Sequence, residues 1–314
     1  MRIIFFRIFK IFAIKKYIPL EKYDFLILRY PLVDGIGSIK FSKDYGHKIY
    51  TEHHTDEISE LYSVGRFFDI VRMWIEKAYS GTFLSNVKGI IGVTEEITKL
   101  QLKKINKEII STTIANGINP QSFKTASFKD FDGKNLCLIF VASCFSPWHG
   151  LEVFLKLLID YKSDVKITLR LVGKLSASQE KYIKKINKRN LRVEIFGRLE
   201  LSALDAAFED INLAISSLAI SSKNMTEACT LKTREYIARG IPFIYAYKDT
   251  DLKGDENFAK RFKENNICID EIIAFAKFVT SNRNKVEEEM LIYRDIVSWK
   301  TKLEQMMKFV ENNK

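Results

Sequence analysis

Short apolar runs alternate with amphipathic stretches along this chain. The runs "DFLILRY" (24–30), "KIYTE" (48–52), "KGIIGV" (88–93) and "IISTTIA" (109–115) are short and largely apolar, which predicts strands of a parallel sheet. Between the second and third, residues 56–81 place Ile58, Leu61, Tyr62, Phe68, Ile70, Val71, Trp74 and Ile75 at helical spacing, from Asp56 to Gly81, predicting a core-facing helix. The polar stretch "NPQSFKTASFKDFDGKN" (119–135) has the composition of a linker. A second series follows with "LCLIFVAS" (136–143), "VKITLRLVG" (165–173), "RVEIFG" (192–197), "INLAIS" (211–216) and "IPFIYAY" (241–247). Residues 284–313 carry Met290, Tyr293, Ile296, Val297, Leu303 and Met307 on one face, predicting a single long helix.

Strands that alternate with helices build parallel sheets, so the fold class is α/β with two Rossmann-like parallel-sheet domains facing a central cleft. The expected boundaries are 1–122 for a shortened first domain, 123–290 for the second, and 291–314 for a carboxyl-terminal helix packing back toward the first. In such sheets ligands bind at the carboxyl ends of strands, so function belongs to the strand-to-helix loops.

Charge narrows the partner. With 50 Lys and Arg against 39 Asp and Glu the net charge is +11, which favours an anion: a nucleotide phosphate, a nucleic acid or an acidic membrane surface. The lysines are spread over helices rather than clustered with exposed aromatics, so nucleic acid is not expected. Cys137, Cys144, Cys229 and Cys268 form no CxxC pair, and no metal is expected. "DTD" (249–251) and "DFD" (130–132) are acidic pairs of the kind that arise by chance in loops. No run reaches the ~18 apolar residues of a bilayer span. The amino end "MRIIFFRIFKIFAIKKYIPL" carries five cations and no acid, which suits a buried first strand and helix, a contact with an anionic membrane face, or, less well, a secretion signal.

The stretch "EACTLKTREYIARGIP" (227–242) concentrates the chemistry. Thr230 is suited to cap a helix and Gly240 before Pro242 to end it. The free N–H groups at that start, with Lys232, form a place for a diphosphate, while Glu235 can accept from sugar hydroxyls and Glu227 can reach the far side of the phosphates. The plainer alternative is an ordinary helix on which Glu235 pairs with Arg239 four residues on.

Two glutamates separated by seven residues, followed by "YIARGIP", resemble the nucleotide-sugar site of retaining GT-B glycosyltransferases, the large family that includes bacterial lipopolysaccharide and capsule enzymes. "TEHHT" (51–55), "ANGIN" (115–119), "SPWHG" (146–150), "LVG" (171–173) and "IFGRL" (195–199) resemble further landmarks in the same order, from about residue 24 to 300. The resemblance implies that Glu235 binds ribose hydroxyls, that Glu227 contacts the transferred sugar, and that Lys232 neutralises the diphosphate. It assigns His149, Gly150, Gly173 and Arg198 to the donor site, Asn116 and Gly117 to the cleft lining, and His54, as the histidine two after Glu52, to the reacting sugar and acceptor. Each has a plainer alternative: a packed helix cap for His149, a core or solvated histidine for His54, a turn for Asn116 and Gly117, a solvated side chain for Arg198. Ser143 stands where the family often carries arginine, with Lys223, Lys232 and Arg234 as substitutes.

The implied activity is metal-independent, hexosyltransferase-type transfer of a sugar from a nucleotide-diphosphate donor to a surface-glycan or lipid-linked acceptor. No cofactor is expected beyond that donor, and the expected location is cytoplasmic, at or near the inner membrane face. An epimerase of the same fold and a non-catalytic, degenerate binding protein are the alternatives.

Overall fold

The computed structural model describes residues 10–32, 35–64, 67–186 and 190–313, so the amino-terminal expectations for residues 1–9 lie outside the described residues. The chain divides into two compact units, one of Met1–Ala115 with Met306–Lys314 and the other of Asn116–Gln305.

The first unit runs α1 (Lys10–Tyr17), β1 (Leu26–Arg29), α2 (Ile36–Tyr45), β2 (Ile49–His53), α3 (Glu57–Val64), α4 (Phe67–Asn86), β3 (Gly89–Gly92), α5 (Glu95–Leu102) and β4 (Ile110–Thr113). Its strands form a four-stranded sheet in the order β1-β2-β3-β4, every pair parallel. Phe41, Ile49, Phe83, Leu84 and Ile90 fill one side of it, and Tyr50, Ile91 and Ile114 pack with Met306 and Val310 from the chain's end.

The stretch at 56–81 departs from expectation. It forms two helices, and the second runs through Gly81, which lies so close to the carbonyl of Lys104 that a Cβ there would stand 2.4 Å from the oxygen. Of the apolar positions singled out from the sequence, Leu61 is buried and Ile58 and Ile75 are half-buried, but Tyr62, Phe68, Ile70, Val71 and Trp74 are exposed; the second helix buries Met73, Glu76, Ser80, Phe83 and Leu84 instead. Two apolar stripes share one helix, and Glu76 lies on the buried stripe because Tyr30 donates to it at 2.8 Å.

The second unit runs β5 (Asn135–Cys144), α6 (Leu151–Asp160), β6 (Lys166–Lys174), α7 (Ala177–Lys185), β7 (Leu191–Gly197), α8 (Leu201–Ala207), β8 (Leu213–Ile215), β9 (Glu227–Ala228), α9 (Leu231–Arg239), β10 (Phe243–Tyr245), β11 (Lys248–Asp249), β12 (Ala259–Arg261), α10 (Ile269–Ser281), α11 (Arg283–Ile296) and the start of α12 (Trp299–Glu311). Six parallel strands take the order β12-β10-β8-β5-β6-β7, and β9 pairs with β11 in a small ribbon. The winding reverses between β5 and β8, and the crevice beyond the carboxyl ends of those two strands is where such a sheet binds a ligand.

Three further expectations change. Residues 119–135 are packed rather than a loose linker: Phe128 and Phe131 are buried, and the main chain donates from Ala126 to Arg239 and from Lys129 to Ile211. The helix expected over 284–313 breaks at Val297–Ser298, because the main chain there pairs with Ile118, which donates to Val297 O and accepts from Trp299 N. Beyond the break Lys302, Met306 and Val310 turn inward while Leu303 and Met307 are exposed. The strand β12 went unread because it is only three residues long and two of them, Lys260 and Arg261, are basic, as an edge strand tolerates.

Candidate functional site

At the reversal point, β5 leads into a short turn in which the main-chain N–H of Ser146 donates to His149 Nδ1 at 2.9 Å. That fixes Nδ1 as an acceptor and leaves the ring's proton on Nε2. Burial, then the positive charges of Lys232 and Lys223, lower the His149 pKa to about 3, so the ring is neutral at physiological pH. Gly150 follows with φ +76°, a left-handed conformation that starts α6, and a Cβ there would stand 2.8 Å from that of Leu218. The loop after β8 is tied to the same turn, with Leu218 N donating to His149 O at 3.0 Å.

Helix α9 opens beside this turn. Thr230 caps it by accepting from Thr233 N, and the hydroxyls of Thr230, Thr233 and Ser216 converge on that of Tyr247 at 2.9, 2.5 and 3.0 Å. Burial raises the Tyr247 pKa to about 12, so the cluster stays neutral. Lys232 projects from the first turn with its stem half-buried and its ammonium shut off from solvent, without a hydrogen-bond partner and 5.4 Å from the centre of the Phe140 ring. Burial brings its pKa down to about 7. Lys223 Nζ lies 3.9 Å above the Trp148 ring.

The two glutamates have partners. Glu227, on β9, accepts from Lys248 at 2.7 Å, and Glu235 accepts from Arg239 at 2.8 Å, the four-residue pairing weighed from the sequence. Arg239 also donates to Asp205 at 2.6 Å and lies over the rings of Phe208 and Phe123.

Arg234 is removed from the substitutes for the arginine absent at Ser143: it is fully buried, grips Asp249 through both terminal nitrogens and donates to Asp251 at 2.8 Å, while Lys302 donates to the other Asp251 oxygen at 2.6 Å. The acidic pair at 249–251 is thus neutralised by two cations. In the pair at 130–132, Asp130 accepts from Arg283 and Asp132 accepts from the main chain of Lys134 and Asn135. Arg198 is exposed and donates to the carbonyl of Ser143 at 3.2 Å, so a guanidinium does stand at the end of β5, contributed by the loop after β7. Gly173 near the end of β6 has φ +134°, and a Cβ there would stand 1.7 Å from the oxygen of Ala142.

Asn116 and Gly117 hold structure. Asn116 Nδ2 donates to Cys229 O at 2.7 Å, which pins the loop between Glu227 and Thr230, and a Cβ on Gly117 would stand 2.7 Å from the Trp299 ring. Burial raises the Cys229 thiol to about 12, well outside the range of a reactive thiolate.

In the first unit the adjacent histidines separate by burial. His53 is fully buried, stacks on Tyr30 with ring centres 4.4 Å apart, and pairs with Glu57 at 2.9 Å and Thr51 at 3.1 Å. His54 is half-buried in a pocket of about 290 Å³ whose lining includes Arg29, Tyr30, Glu52, Glu60 and Arg72. Its Nε2 lies 3.1 Å from Glu52 Oε2 without a well-aligned hydrogen bond. Glu57, which also lines this pocket, is lowered to about 2 against its burial by His53 and Lys104.

The residues that sequence reasoning missed are Ser216 and Tyr247. Both lie in strand-end segments that read as core, and only the fold brings their hydroxyls to the helix start.

No protein-family model matches the chain, and no curated protein does. Solved structures do match in fold. Sucrose-phosphate synthase from Thermosynechococcus elongatus is 16% identical with a TM-score of 0.67, covering 96% of this chain and 77% of that one. Anabaena HepE in complex with UDP is 14% identical with a TM-score of 0.63, covering 96% and 82%. The lipopolysaccharide outer core galactosyltransferase WaaB is 10% identical with a TM-score of 0.63, covering 98% and 80%. The chain therefore shares the fold of GT-B glycosyltransferases.

Proposed function

We propose that this chain is a retaining glycosyltransferase that uses a nucleotide-diphosphate sugar. The observation that carries the proposal is the Lys232 ammonium, buried without a partner at the first turn of α9, at the reversal point of the sheet and beside the neutral ring of His149. An isolated buried cation is costly and calls for an anion. HepE, of the same fold, is solved with UDP, which supports a diphosphate as that anion.

In this reading the diphosphate sits between the α9 start and the Ser146–Gly150 turn. Lys232 supplies charge, the first N–H groups of α9 supply donors, and His149 donates through Nε2. Glycosyl transfer builds positive charge on the sugar ring while the departing phosphate gains negative charge, so fixed positive groups around that phosphate lower the barrier. Such a site performs the charge neutralisation without requiring a metal. Glu235 exchanges one contact with Arg239 for ribose hydroxyls, and Glu227, held by Lys248, orients the transferred sugar. Gly173 and Arg198 border the donor, and Asn116, next to Gly117, fixes the backbone that follows Glu227. On the first unit, His54 serves the acceptor. A surface-glycan or lipid-linked acceptor is supported by the basic chain and by the fold shared with WaaB, and in this reading transfer takes place at the inner membrane face. Among the described residues no helix is long and apolar enough to cross a membrane.

Thermal-shift and calorimetric titration with UDP, GDP and their sugars tests this proposal. It expects one family of nucleotide diphosphates to raise Tm, Lys232→Met to abolish most of that shift, and His54→Gln to keep it while losing transfer. Equal binding by Lys232→Met would end it.

A further inference from the structure

Helix α4 shows solvent a face that soluble proteins normally cover. Phe67 is 75% exposed, Phe68 77% and Trp74 64%, and Ile70 and Val71 are exposed beside them. Tyr62 on α3 is also exposed. At 100° per residue Phe67, Val71, Trp74 and Ala78 form the centre of this face, with Phe68 and Ile70 on its shoulders. Arg72 and Lys77 flank it on opposite sides, and the Lys77 ammonium lies 5.2 Å from the Trp74 ring centre. None of the exposed positions of α4 is acidic: Asp69 is half-buried and Glu76 is inside, accepting from Tyr30.

We propose that this face of α4 is seated on an anionic lipid bilayer. Aromatic and branched side chains enter the boundary between headgroups and acyl chains, while the flanking Arg72 and Lys77 keep their charges at the phosphates. Charge selects this occupant. The two charges that flank the face on α4, Arg72 and Lys77, are both positive, the chain is +11, and its first twenty residues hold five cations and no acid. The consequence for catalysis rests on the function proposed above. Arg72 of α4, with Glu60 and Leu61 of α3, lines the pocket that holds His54, so a docked α4 holds that pocket at headgroup level, where a lipid-linked acceptor presents its sugar.

Sedimentation of the full chain with vesicles tests the proposal. Wild type is expected to partition onto vesicles of phosphatidylcholine with phosphatidylglycerol and to bind phosphatidylcholine alone far less. Phe67→Ser/Phe68→Ser/Trp74→Ser should lower partitioning by ~tenfold or more, and Lys77→Glu should lower it less, with the difference shrinking at high salt. Because the changed residues are exposed, the variants should melt with wild type; should the triple variant misfold, Lys77→Glu and a wild-type fluorescence blue shift on vesicles that is lost in Trp74→Phe decide alone. Undiminished binding by a folded triple variant, or no binding by wild type, overturns the proposal. So does a wild-type dimer that the triple variant converts to monomer, which would give the face to a second copy of the chain. The nucleotide-induced Tm shift, measured on the same samples, reports separately on the donor site.

Discussion

Lys232 and Phe140 meet with the ammonium 5.4 Å from the ring centre, and no hydrogen-bond acceptor reaches that ammonium. A ring face returns only a small part of the hydration such a cation gives up. Lys232→Met should therefore do opposite things to stability and binding. The empty protein should melt higher, because an uncompensated charge is gone. Affinity for the diphosphate should fall by about 1.5–3 kcal/mol, or roughly ten- to a hundredfold. Scanning calorimetry of the free protein and titration calorimetry with the nucleotide measure the two effects.

The same group sets a pH dependence. Lys232 has a pKa of about 7 in the folded chain against 10.5 for the ordinary side chain, so between those values the unfolded chain holds a proton that the folded one has released. Stability from this group then rises as pH goes from 7 toward 10.5, and it is lowest below 7. The nucleotide, by restoring the charge, should draw in a proton above pH 7. Comparing binding heats in buffers of different ionisation enthalpy should reveal that uptake in wild type and none in Lys232→Met.

His149 titrates far below its usual range, and the sign is again that of a base held neutral. Its pKa falls from 6.5 to about 3, so the stability it contributes is present above 6.5 and is lost as pH falls toward 3. His149→Phe should remove this acid sensitivity and leave the Ser146 N–H without its acceptor, at a cost of about 1–3 kcal/mol near neutral pH. Denaturant melts of both proteins at pH 4 and 7.5 make the comparison.

Gly173 and Gly240 separate two reasons for glycine. A methyl group on Gly173 would collide with Ala142 O at 1.7 Å on top of its unfavourable φ, whereas at Gly240, with φ +77°, the nearest atom to a Cβ is 3.6 Å away. Gly173→Ala should cost about 3 kcal/mol or more and Gly240→Ala about 1 kcal/mol. Urea melts of the two variants rank them.

Arg234 and Asp249 form a fully buried pair, and breaking it by removing one side leaves the other charge stranded. Arg234→Met or Asp249→Leu alone should cost about 3–5 kcal/mol, and the double variant should recover part of that loss. Nucleotide affinity per folded molecule should stay close to wild type in the single variants, since Arg234 reaches carboxylates rather than the α9 start.

Much of the fold was written along the chain. The apolar run at 136–142 reads as a buried strand because nothing charged interrupts it, the run at 165–173 because Lys166, Thr168 and Arg170 alternate with apolar positions, and Thr230 and Gly240 bracket α9 by local geometry alone. Where two apolar stripes shared a helix, periodicity could not choose between them: the visible stripe of α4, Phe68 to Trp74, was the exposed one. The break at Ser298 depends on pairing with Ile118, a partner 180 residues earlier that no local pattern reveals.

The sequence by itself determined the longer strands, though not β9, β11 or β12, together with the α9 caps and the placement of Lys232 in its first turn, since each follows from neighbours within a few positions. Only the tertiary structure decided which charges are spent and which are not. Arg234 found Asp249 and Glu235 found Arg239, His53 was buried and His54 left facing a pocket, and Lys232 was sealed in with no partner. Pairing and burial depend on distance in space, and the chain's order does not encode that distance.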